Sequence, residues 1–132
     1  MRIIQASYII PLNSAPIANG YLYMEDDGTI IHITKEAPIT DQFKVEEYDG
    51  ILCPGFINTH CHLELSHLKG KIAEETKLHG FVKEIISIRD NSTEKERIQA
   101  IQMAEQEMIE NGIVAVGDIS NGDTTFPFKE KS

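Results

Sequence analysis

Two short apolar runs bracket a helical segment that marks both of its own ends. That arrangement restricts the fold more than any other feature of the chain. Phe56 to His60 and Ile113 to Ile119 are β-prone runs with little polar alternation. Such runs suit strands buried on both faces of a parallel sheet. Between them, Thr93-Glu94-Lys95-Glu96 has the spacing of a capping box. Ile98, Ile101, Ala104 and Met108 then recur on one helical face. Asn111-Gly112 closes the helix, with Gly112 free to take the left-handed cap conformation. An earlier stretch, Gly80 to Asp90, places Phe81, Ile85 and Ile88 at helical spacing beside Val82 and Ile86. Strand, helical segment and strand make a βαβ unit, whose crossover demands parallel pairing. The fold class expected is α/β.

The first fifty residues differ in texture. Arg2 to Pro11, Tyr21 to Met24, Thr29 to Ile33 and Phe43 to Tyr48 read as short strands. Asp27-Gly28 between two of them predicts a hairpin with a type I′ turn, which needs positive φ at both central residues. Lys35 to Gln42 and Leu63 to Glu75 read as loops, the latter containing Gly70. The boundary expected lies at Gly50, giving a β segment over 1–50 and a βαβ portion over 51–132.

Composition removes several functions. The formal net charge of −9 repels phosphate backbones and anionic membranes, so no nucleic-acid or membrane partner is expected. No apolar run approaches the length of a membrane span, and from Met1 to Gln5 no signal peptide is expected. Cys53 and Cys61 make no disulfide framework. Free thiols suit a reducing compartment, so a cytoplasmic location is expected.

The chemistry sits at the end of the first buried-type strand. Residues two apart on a strand share a face, so His60 and His62 point together and Cys61 points away. Two imidazoles so placed can share a divalent metal: zinc first, with iron or nickel as further options. In parallel α/β folds the C-terminal end of a strand is where active sites gather. A polar set, Glu64, Ser66 and His67, follows at once. Asp118, Ser120 and Asn121 fall at the same end of the second strand, where Asp118 is equally suited to holding a loop by hydrogen bonds. His32 and His79 read as surface residues, and Cys61 as a free thiol.

The run from Gly50 to His62, Gly-Ile-Leu-Cys-Pro-Gly-Phe-Ile-Asn-Thr-His-Cys-His, resembles the first barrel strand of the amidohydrolase superfamily. Asp27 to Ile33 resembles part of the small β-sandwich that precedes that barrel, and His62 to His67 resembles the chlorohydrolase and aminodeoxyfutalosine deaminase group. The resemblance implies the N-terminal part of a (β/α)8 TIM-type barrel, incomplete in this chain, after a small β-sandwich segment. It implies a metal-dependent hydrolase of non-peptide carbon–nitrogen bonds, deaminating a nucleoside-like or purine-derived small molecule. His60 and His62 would be metal ligands. Glu64 would be catalytic and contact substrate, and Ser66 would also contact substrate.

Later strands of that superfamily supply two more histidines, an aspartate and, in deaminases, a glutamate. A whole barrel takes about 250 residues, whereas the sequence has 132. The expectation is therefore a portion of a longer enzyme, inactive alone. A non-catalytic interaction or oligomerising fragment, its exposed barrel edges covered by a partner or by another copy in a homo-oligomer, is the alternative. A metallo-β-lactamase-like hydrolase fits less well, because Glu64-Leu65 stands where that family has Asp-His.

Overall fold

A computed structural model describes residues 1–39 and 43–130. The chain divides into two compact units, Met1–Pro54 and Gly55–Ser132.

The first unit is one four-stranded sheet built from β1 (Arg2–Ile9), β2 (Ile17–Met24), β3 (Ile30–Thr34) and β4 (Val45–Leu52), in the order β3-β2-β1-β4. β1 pairs antiparallel with β2 and parallel with β4. A register shift between Ala6 and Tyr8 resets the alternation of β1. Ile9 thereby joins Ala6 and Leu22 in the buried cluster, against Ile4, Met24, Ile33 and Leu52. Among the described residues this unit is a single four-stranded sheet. The hairpin forms, but not through a type I′ turn. Gly28 alone in that turn has positive φ, at 92°. The connection runs from Glu25 to Thr29: the Gly28 amide donates to Glu25 O and the Glu25 amide to Thr29 O. Asp27 Oδ1 accepts from the Thr29 amide, and this side-chain bond takes the place of a left-handed Asp27.

The second unit opens with β5 (Phe56–Cys61). Where the sequence suggested a loop, Leu63–Leu68 form a 3-10 helix. Its leucines anchor it: Leu63 and Leu68 are buried, as is His67. α1 (Leu78–Ile88), α2 (Glu94–Glu110) and β6 (Ile113–Asp118) follow, then the short α3 (Phe126–Lys129). α2 starts as its sequence dictates. The Thr93 hydroxyl accepts from the Glu96 amide, while the Glu96 carboxylate accepts from the Thr93 amide. Ile101, 1% exposed, is its buried residue, and Gly112 at φ 76° ends it. Full burial of such a side chain contributes about 2 kcal/mol.

β5 and β6 pair in parallel, as the crossover requires. Gly117 brings them unusually close, since a Cβ there would lie 2.8 Å from the carbonyl oxygen of Thr59. Burial on both faces is not found. Phe56, Ile57 and Val114 are 60%, 65% and 72% exposed. The reason is the size of the sheet: among the described residues it has two strands, so each has one hydrogen-bonded neighbour. The apolar stripe of α1 is likewise open, and none of its residues is fully buried.

Candidate metal centre

β5 delivers His60, and His62 lies one residue past its end with φ −135° and ψ 70°. The rings nevertheless converge. Their Nε2 atoms are 3.1 Å apart and their centroids 5.1 Å apart. Two nitrogen ligands of one tetrahedral zinc, each at ~2.0–2.1 Å, stand roughly 3.3 Å from one another. The spacing fits a shared divalent ion.

The tautomer fits as well. His62 Nδ1 lies 3.0 Å from the carbonyl oxygen of Ile119. A carbonyl only accepts, so Nδ1 carries the proton and Nε2 keeps its lone pair. A metal-binding histidine is commonly oriented by this kind of outer contact. The backbone before the pair is held too. Asn58 Oδ1 accepts from the His60 amide at 3.3 Å, and its Nδ2 reaches the Met108 sulfur of α2 at 3.8 Å.

The end of β6 grips the segment after His62. Asp118, whose side chain is 1% exposed, accepts from the Leu63 amide through Oδ1 at 2.8 Å. Its Oδ2 receives Lys129 Nζ at 2.5 Å and the Ser120 hydroxyl at 2.8 Å. Thr125, fully buried, lies 3.0 Å from the Ser120 hydroxyl. Burial alone would raise the Asp118 carboxyl; the Lys129 ammonium and the Leu63 and Ser120 donors outweigh it and hold the group below the usual carboxylate range. The same carboxylate, after burial, helps push the Cys61 thiol up. A thiol so disposed is a poor metal ligand, and Cys53 and Cys61 are both free and half-buried.

His60 and His62 open onto a cavity of about 680 Å³ walled largely by Phe81, Val82, Ile85 and Ile86 of α1. Glu64 and Ser66 do not line it. Glu64 borders a separate hollow of about 220 Å³ with Arg89, Arg97 and Asn121, and Leu65 borders both. The Glu64 carboxylate accepts from Asn121 twice, at its backbone and side-chain amides. The Ser66 hydroxyl donates to Leu63 O at 2.7 Å. His67 sits between the carbonyl oxygens of Glu64 and Arg89 at 3.1 and 3.0 Å, joining the 3-10 helix to the end of α1. Among the described residues, no group of three or more His, Cys, Asp or Glu is placed to hold a metal. The Ile119 carbonyl and the Asn121 clamp had no signal in the sequence beyond lying at the end of a parallel strand.

No family model matches the sequence. A 5′-deoxyadenosine deaminase of Methanococcoides burtonii is 26% identical over 120 residues, covering 89% of this chain and 27% of the relative. Helicobacter pylori aminofutalosine deaminase, solved with methylthio-coformycin, superposes with a TM-score of 0.79 at 22% identity, over all of this chain and 33% of that one. The match is to the N-terminal portion of the amidohydrolase superfamily. A Xanthomonas campestris adenosine deaminase with bound zinc superposes with a TM-score of 0.69 at 17% identity, over 98% of this chain and 31% of that one. The chain thus spans about a quarter of the curated deaminase and about a third of the solved ones. No helix among the described residues is long and apolar enough to cross a membrane.

Proposed function

We propose that this chain supplies the first ligand pair, His60 and His62, of a metal-dependent hydrolase acting on non-peptide carbon–nitrogen bonds. The substrate proposed is a nucleoside-like or purine-derived small molecule that loses an exocyclic amine as ammonia. The observation that carries the reading is the 3.1 Å approach of the two Nε2 atoms, with the His62 proton committed to the Ile119 carbonyl. The deaminase relatives support the substrate class. In this reading β5, the helices and β6 are the opening portion of a (β/α)8 barrel, and the four-stranded sheet is part of a small β-sandwich.

A divalent metal, zinc by preference, supplies an activated water near neutral pH when bound. His60 and His62 would hold it. Ile119 and Asp118 keep His62 in place. Glu64, steadied by Asn121, is proposed to meet substrate from the neighbouring hollow, with Leu65 between it and the histidine cavity. Ser66 contributes acceptor lone pairs only, since its proton is committed to Leu63 O.

The test is zinc titration of the purified chain by calorimetry. Binding is expected to be weak, because two imidazoles fall short of the usual ligand count. His60→Ala and His62→Ala should each weaken it at least tenfold. Undiminished binding in both variants overturns the ligand assignment.

The exposed apolar residues Phe56, Ile57, Val114 and Leu78 favour a second reading, an interaction or self-associating module. Sedimentation separates the two: histidine-independent assembly with no zinc response supports the second.

A further inference from the structure

We propose that Asp118 is a positioning residue for the metal pair, acting on His62 from the neighbouring strand. The inference rests on the metal reading of His60 and His62 and goes one layer further out.

His62 lies one residue past the end of β5, so the sheet does not fix it on its own. Two contacts from one short stretch of β6 and its exit replace that support. The Ile119 carbonyl takes the ring proton at 3.0 Å, and the Asp118 carboxylate takes the amide of the next residue, Leu63, at 2.8 Å. The Ile119 amide also donates to Cys61 O at 2.8 Å, immediately before the histidine. His62 is therefore held on its ring and on both flanking residues by Asp118 and Ile119. The carbonyl orients the ring only if the backbone at Asp118 and Ile119 stays put. Asp118 secures it by anchoring Oδ2 to Lys129 and Ser120 while Oδ1 holds the start of the 3-10 helix. The side chain is 1% exposed, so water does not compete for these contacts.

Asp118 is not offered as a ligand. Its oxygens are engaged by Leu63, Lys129 and Ser120, and it belongs to no group of three or more metal-binding side chains. Its effect on the metal is transmitted through the orientation and tautomer of His62. Loss of such an outer contact typically weakens metal binding 10- to 100-fold.

The experiment compares wild type, Asp118→Asn and Asp118→Ala by zinc calorimetry, with ¹⁵N NMR of the His62 ring in the zinc-free state. Wild type should show the Nδ1–H tautomer. Asp118→Asn keeps an acceptor for the Leu63 amide but loses the Oδ2 anchor to Lys129 and Ser120, and should bind zinc more weakly than wild type and more tightly than Asp118→Ala. Asp118→Ala should bind 10- to 100-fold more weakly, with a circular dichroism spectrum like wild type and a His62 ring averaged between tautomers. If the alanine variant does not fold, the tautomer in wild type and in Asp118→Asn decides: a predominant Nε2–H form in both overturns the assignment. Wild-type affinity in a folded Asp118→Ala overturns this assignment alone. Absence of histidine-dependent zinc binding in wild type overturns the metal-pair reading, and this assignment with it.

Discussion

Asn121 holds Glu64 by both carboxylate oxygens, its backbone amide donating to Oε2 at 2.9 Å and its side-chain amide to Oε1 at 2.5 Å. The 3-10 helix after β5 is thereby tied to the loop after β6, far apart in sequence. Asn121→Ala keeps the backbone bond and loses the other. The expected cost is about 1 kcal/mol, since one charge-assisted bond at a partly exposed site is lost. Asn121→Asp should cost more, by setting two carboxylates together. Urea unfolding midpoints check both.

Asp118 makes stability depend on pH in a definite direction. Its carboxyl is lowered in the folded chain, despite burial, by Lys129, Leu63 and Ser120. A depressed folded value means stability that is present above the unfolded value, near ~3.9, and lost as pH falls through the folded one. Asp118→Asn should be less stable than wild type at neutral pH and show a flatter dependence below about pH 4. Denaturant titrations at a series of pH values measure the difference.

The capping box of α2 makes a separable contribution. Thr93→Ala removes the hydroxyl that accepts from Glu96 at 3.3 Å. A loss of about 1 kcal/mol is expected, while zinc affinity stays unchanged, because the cap touches neither histidine. Thermal unfolding and calorimetry together test the pair of outcomes.

His67, 8% exposed, should be among the costlier positions in the second unit. His67→Ala removes the ring N–H donated to one of the two flanking carbonyls and leaves a void, for an expected loss of about 2–4 kcal/mol. Hydrogen exchange should show the 3-10 helix opening first, because the buried ring packs between it and Arg89.

Local signals in the sequence located most elements. Thr93, Glu96 and Gly112 marked α2 because caps and left-handed glycines act within a few residues. The parallel pairing of β5 and β6 followed from chain geometry. Strand alternation brought His60 and His62 together, although His62 itself lies beyond the strand. What escaped depended on distant partners. The 3-10 helix is stabilised by buried Leu63, His67 and Leu68, which no local propensity reveals. The hairpin turn follows an Asp27 side-chain bond rather than the dipeptide preference. Exposure of Phe56 and Val114 reflects how many strands flank them, a property their own side chains do not encode.

Gly117 has one more consequence. The atom that any side chain there would meet, 2.8 Å away, is the carbonyl of Thr59, the residue just before His60. Backbone has no rotamer by which to yield. A descendant of this sequence that exchanged Gly117 for alanine would keep both histidines and every other group with chemistry, yet β5 would be displaced where the pair begins. A motif count would score that descendant as intact. Tolerance to drift at this site is therefore governed by a position that carries no reactive group at all.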